Sequence, residues 1–233
     1  MTTLITQGRK LGTGLIDSGL TGSKWIGYLK TWLLSFCVIL LFAPAAHANL
    51  IQHGSFEEPN VKNKGWRFFD PTTTPGLTGW QGDNIEIWDS LFGFEASHGE
   101  QHAELNAHPN QKEYFSFYQT FATTPNQLYT LTFDYAARRN KNESFVVDIM
   151  GDSPLLLTTL DDHERFTWRN FSETFYADSD FSTLRFTSQN KGTRGNLLDN
   201  VRVTVVPEPD LLFPVMLFAV FLLIQHRRRR LHH

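Results

Sequence analysis

The 233-residue chain has one cysteine, Cys37, and it falls in an apolar stretch near the N-terminus. Residues 49–206 contain none, which excludes disulfide staples, zinc–thiolate sites and a cysteine nucleophile from that stretch. Basic residues are also scarce there. Thirteen Lys+Arg stand against 21 Asp+Glu, a net charge of −8 where the whole chain carries −3. Affinity for nucleic acid comes from neutralising phosphates, so this domain is not built for a nucleic-acid partner. Motifs of common hydrolases and phosphate binders are missing: there is no G-x-S-x-G, no H-E-x-x-H and no phosphate-cradling glycine loop. No heptad pattern, internal repeat or linker breaks residues 49–206, so these 158 residues read as one domain large enough for a real core.

The two ends carry different signals. Lys24 and Lys30 precede an apolar run over residues 31–46 that closes in Ala46-His47-Ala48. A positive flank, a short apolar run and an A-x-A site make a secretory signal peptide cleaved by signal peptidase after Ala48. Residues 1–48 then form a signal with a long n-region, and a start codon placed too early would account for its first 23 residues. Residues 207–233 read Pro207-Glu208-Pro209, an apolar run over 211–224, then Gln225, His226 and Arg227 to Arg230. Fourteen helical residues span about 21 Å against a hydrocarbon core of about 30 Å. Snorkelling arginines and local thinning cover part of that gap, and the positive-inside rule keeps the arginines cytoplasmic. The result is a weak, transient membrane anchor with the domain outside.

This tail resembles the PEP-CTERM sorting signal of Gram-negative bacteria, with its PEP motif, short hydrophobic helix and basic end in order. The resemblance implies recognition and removal by an exosortase, a membrane cysteine peptidase. It also implies delivery to the cell surface or matrix in the company of exopolysaccharide. The departures are Pro214 within the helix and the trailing Leu231-His232-His233.

Between the ends the pattern is β. Tyr129, Leu131, Phe133 and Tyr135 alternate with Thr130, Thr132 and Asp134, and Val201, Val203 and Val205 alternate with Asn200, Arg202 and Thr204. Further strands are expected at 85–88, 102–106, 117–121, 145–149, 155–160, 171–175 and 184–187, with turn residues between them. Short strands with one polar face predict an all-β sandwich. The ordered set Asn49-Leu50-Ile51-Gln52-His53-Gly54-Ser55-Phe56-Glu57, Gly79-Trp80, Ile85-Glu86-Ile87-Trp88, Gly99-Glu100-Gln101-His102-Ala103-Glu104-Leu105-Asn106, Gln119-Thr120-Phe121, Tyr129-Thr130-Leu131-Thr132-Phe133 and Leu197-Leu198-Asp199-Asn200-Val201 is similar to a family of secreted domains best known from plant cell walls. It also resembles the galactose-binding-like jelly rolls used as carbohydrate-binding modules. The resemblance implies a single jelly-roll β-sandwich, secretion and non-catalytic contact with polysaccharide of the matrix or envelope. A structural or adhesive matrix protein without sugar affinity is the alternative, and a glycoside hydrolase a third.

Two constellations follow. Asp199 shares strand parity with Val201, so it points inward if the valines do, and a buried carboxylate needs a cation or several donors. Related jelly rolls place a structural calcium where the chain ends meet, which implies Glu57 and Asp199 as ligands. Satisfaction by backbone N–H groups or by Arg202 is the alternative. In the second constellation Ile85 and Ile87 face the core and leave Glu86 and Trp88 on the other side. An indole beside a carboxylate suits a sugar, the ring stacking on C–H groups and the acid accepting from hydroxyls. By the same parity Glu104, Asn106 and Arg138 join them, giving an expected exposed glycan groove of Glu86, Trp88, Glu104, Asn106 and Arg138. Alternatively Trp88 caps the core and the charges pair with one another under a loop. Trp66, Trp80 and Trp168 read as core residues, and Asp161-Asp162-His163-Glu164 as a solvated turn.

Overall fold

The computed structural model describes residues 48–62, 64–109, 114–207 and 220. The segments expected to be a signal peptide and a sorting tail lie outside the described residues, apart from Ala48, Pro207 and Val220. No helix among the described residues is long and apolar enough to cross a membrane.

Eleven strands run in chain order as β1 Trp66–Phe69, β2 Trp80–Gly82, β3 Ile85–Asp89, β4 Gln101–Glu104, β5 Ser116–Ala122, β6 Leu128–Ala136, β7 Phe145–Met150, β8 Pro154–Leu160, β9 Arg169–Tyr176, β10 Phe181–Ser188 and β11 Leu197–Val205. They form two antiparallel sheets, β1-β3-β4-β11-β6-β9 and β2-β5-β10-β7-β8. This is the expected jelly-roll sandwich. Period-two alternation builds both inner faces. On β6 the residues Tyr129, Leu131, Phe133 and Tyr135 are buried between the sheets, as expected, and on β10 Leu184 and Phe186 meet them from the other side. Phe133 lies 5.1 Å edge-on to Phe186 and 4.7 Å face-on to Phe171, so aromatic rings fill much of the core. Nine strands were legible from alternation. The two that were not, β1 and β2, have four and three residues and show no alternating burial.

The N-terminal segment is fastened to β11. The Asn49 side chain donates to the Val201 carbonyl at 3.1 Å and accepts from the Ile51 and Val203 amides at 3.1 and 3.0 Å. Gly54 then lies so close that an added Cβ would stand 2.1 Å from the Val201 carbonyl oxygen.

Candidate carbohydrate-binding surface

β3 and β4 pair with Glu86 opposite Glu104 and Ile87 opposite Ala103, so both glutamates lie on the outer side of the six-stranded sheet. The structure does bring four of the five expected groove residues together. Arg138, just past β6, donates to both Glu104 oxygens at 2.9 and 2.6 Å and stands 3.9 Å from Glu86. Its guanidinium sits 4.5 Å over the Trp88 ring, and the Trp88 indole N–H donates to Glu86 at 2.9 Å. His108 Nδ1 lies 2.8 Å from the other Glu86 oxygen, and the Gly195 amide donates to Glu104 at 2.6 Å.

The expected exposure of this groove is corrected. Glu86, Trp88, Glu104 and Asn106 are 1 % exposed or less. The turn around Leu91–Gly93 and the segments at 94–98, 164–168 and 190–196 close over them. Phe92 packs edge-on to Trp88, Phe94 stacks on Phe166 and Trp168, and Thr193 contacts His108. Asn106 serves these loops: its amide donates to the Asn190 and Gly192 carbonyls and its oxygen accepts from Asn196. Burial, together with the facing Glu86, pushes the Glu104 carboxyl well above the usual carboxylate range, while Arg138 opposes the shift. The cluster is thus a fixed ionic floor. The same loops bury His102 among Trp88, Phe94 and Trp168 with both ring nitrogens unpaired, and burial pushes it down to about 3.

Glu57 and Asp199 both hold the segment at residues 97–101. Glu57 accepts from the Glu100 and Gln101 amides at 3.0 and 3.1 Å, pinning the turn at Gly99. Asp199 does not point into the core, because a β-bulge at Asn200, held at φ 53°, shifts the register between Asp199 and Arg202. Val201 therefore faces inward, while Asp199 lies on the outer side opposite Asp134. There it lies 2.9 Å from Ser97 Oγ and accepts from the His98 and Asn200 amides at 2.9 and 2.6 Å. Both carboxylates are met by donors of the protein itself. No group of three or more His, Cys, Asp or Glu that could hold a metal occurs among the described residues.

Trp80 is core, as expected, but Trp66 is 42 % exposed and Trp168 is half-buried on the outer side. In the solvated turn, Asp161, Asp162 and Glu164 are exposed while His163 is buried against Tyr135 and Phe145.

The open polar surface lies elsewhere, on the outer face of the five-stranded sheet. Register aligns Gln81, Tyr118, Arg185, Asp148 and Leu157 in one row across all five strands. Arg185 is exposed with its guanidinium 5.8 Å from the Tyr118 ring centre. Hydroxyl pairs flank the row: Thr120 with Thr183 at 2.9 Å and Ser116 with Thr187 at 3.2 Å. Burial raises the Asp148 carboxyl and Arg185 opposes the shift. The signal for this face was present in the sequence, since inward Phe117, Gln119 and Phe121 leave Tyr118 and Thr120 outward.

A comparison with solved structures finds TmCBM61, solved in complex with β-1,4-galactotriose, at a TM-score of 0.46 and 15 % identity over 68 % of this chain and 99 % of that chain. The CBM22-1 xylan-binding domain of Xyn10C from Paenibacillus barcinonensis has a TM-score of 0.40 and 14 % identity over 72 % of this chain and 100 % of that one. The enzymatically active domain of bacteriophage CBA120 tailspike protein 4 has a TM-score of 0.45 and 12 % identity, over 68 % of this chain and 21 % of that one. A comparison with curated proteins returned no match. The family model described as protein of unknown function, DUF642, matches residues 49–204, and the chain belongs to that family.

Proposed function

We propose that the domain binds an extended polysaccharide without catalysis, on the open face of the five-stranded sheet. The observation that carries this reading is the row from Gln81 to Leu157, with an aromatic ring, a cation and an acid in line and hydroxyls on both sides. Tyr118 stacks on sugar C–H groups, Arg185 and Asp148 fix ring hydroxyls, and the threonines extend the contact along the chain. With strands about 4.8 Å apart, the row is about 19 Å long, a length suited to several sugar rings and not to one. Glu86 and Glu104, the pair a hydrolase would use, are sealed from solvent and tied to Arg138, which argues against glycoside cleavage there.

The ends of the sequence support the rest of the reading. Signal peptidase releases the exported chain, the tail holds it briefly at the inner membrane, and an exosortase sorts it to the surface or extracellular matrix.

The test is binding of the purified full-length chain to xylan, β-1,4-galactan, cellulose and the host's own exopolysaccharide. Saturable binding to one of them, weakened about tenfold (about 1.4 kcal/mol) in Tyr118→Ala and in Arg185→Ala, is expected. A folded protein that binds none of these is a structural matrix protein instead.

A further inference from the structure

The opposite outer face is closed over Glu86 and Trp88 but not at its edge. Register places Trp66 opposite Trp88 and Phe68 opposite Glu86, so both β1 rings stand on the same side as the ionic floor. They are 42 % and 41 % exposed. Trp66 packs 4.9 Å from the His108 ring, and His108, one-third exposed, is held from below by Glu86. The rigid elements of a sugar site are therefore assembled: two exposed rings two residues apart on one strand, beside an imidazole fixed by a buried carboxylate. His108 also lines a cleft of about 180 Å³ with Asp70, Thr72, Asp83 and Asn84. That volume is below the roughly 300–1,000 Å³ of a drug-sized site and suits one ring. The charge selects the ligand. Asp70, exposed at the cleft, disfavours an anionic sugar and accepts hydrogen bonds from hydroxyls, so the occupant is a neutral pyranose.

We propose that Trp66, Phe68 and His108 form a second sugar-binding site on the outer face of the six-stranded sheet, so that one domain bridges two polysaccharide chains. The bridging rests on the reading of the five-stranded face given above; the second site does not. The topology supplies the geometry, since the two outer faces of a sandwich look away from each other.

The experiment is agglutination of xylan-coated and of β-1,4-galactan-coated beads by the full-length chain, checked as monomeric, with oligosaccharide stoichiometry measured in parallel. The wild type is expected to agglutinate one bead type and to bind two equivalents of its oligosaccharide. Trp66→Ala and Phe68→Ala are each expected to bind one equivalent and to lose agglutination; Phe68→Ala leaves the His108–Glu86 contact untouched, so loss of fold does not explain its effect. Tyr118→Ala should likewise keep one equivalent without agglutination. Unchanged stoichiometry and agglutination in both β1 variants overturns the second site while leaving the first standing. If Tyr118→Ala behaves as wild type and the β1 variants bind nothing, the open-face reading fails and the β1 site stands alone without bridging. A wild type that agglutinates neither bead type overturns the bridging.

Discussion

Ser97 illustrates how much one hydroxyl constrains its neighbours. Its Oγ lies 2.8 Å from Asp134 Oδ2 and 2.9 Å from Asp199 Oδ2. A hydroxyl has one proton to donate, so the second of these contacts needs a proton on a carboxyl. Asp199 is the carrier, donating to Ser97 Oγ while Ser97 donates to Asp134: burial pushes it up to about 7 against the His98 and Asn200 amides. A native carboxyl that holds its proton above the unfolded value makes stability fall with rising pH. The contribution is complete below about pH 4 and lost once pH passes about 7. The buried His102 and His163, pushed down to about 3 and about 4, act in the opposite sense and weaken the fold as pH falls below their ordinary value. Comparing variant with wild type isolates the aspartate. Asp199→Asn should lessen the loss of unfolding free energy between pH 5 and pH 8 by about 2 kcal/mol, measured by urea titration at each pH. Parallel losses in the two proteins would assign the shared proton elsewhere. None of this was legible in the sequence, because parity counted from Val201 runs the wrong way through the bulge at Asn200.

At the level of elements, the strands with an alternating sequence are legible, and the short β1 and β2 are not. β1 offers Trp-Arg-Phe-Phe, which reads as core by composition. As a four-residue edge strand with its first three residues exposed, it turns Trp66 and Phe68 outward. The face holding Glu86 and Trp88 was legible as an assembly and illegible as a closed one. Alternation fixes which side a residue takes, whereas the loops that cover that side, at 90–100, 164–168 and 190–196, have no period, and the last two lie distant in sequence. The N-terminal segment is the reverse case, where one small residue fixes the packing. Gly54 donates no side chain, yet its carbonyl accepts from the Val201 amide at 2.8 Å and a Cβ would meet the Val201 carbonyl. The substitution Gly54→Ala must displace this segment from β11. A loss of about 2 kcal/mol or more is expected from such a backbone clash, read as a lowered urea midpoint with an unchanged slope. A midpoint equal to wild type would show the segment free to shift without consequence.

For the molecule as a whole, the question is what fastens the two ends of the domain where they meet on β11. A cation bound by Glu57 and Asp199 was one expectation. The structure shows one fastening made by Asn49, whose side chain makes one donated and two accepted hydrogen bonds to residues 51, 201 and 203, while Leu50 adds a backbone bond to Val203 at 2.9 Å. Glu57 holds the Gly99 turn and Asp199 holds the 97–98 segment, each through backbone N–H donors. A carboxylate placed among donors gains little from a divalent ion, because the donors must turn away before the ion can approach. The two accounts separate cleanly by calorimetry on the full-length chain. Calcium in excess and a chelator should give the same Tm. Asn49→Ala, which removes partly buried hydrogen bonds worth about 2 kcal/mol together, should lower it by about 4–8 °C. A calcium-dependent rise in Tm, with Asn49→Ala neutral, would return the cation to the junction and make the domain's stability depend on the calcium around it.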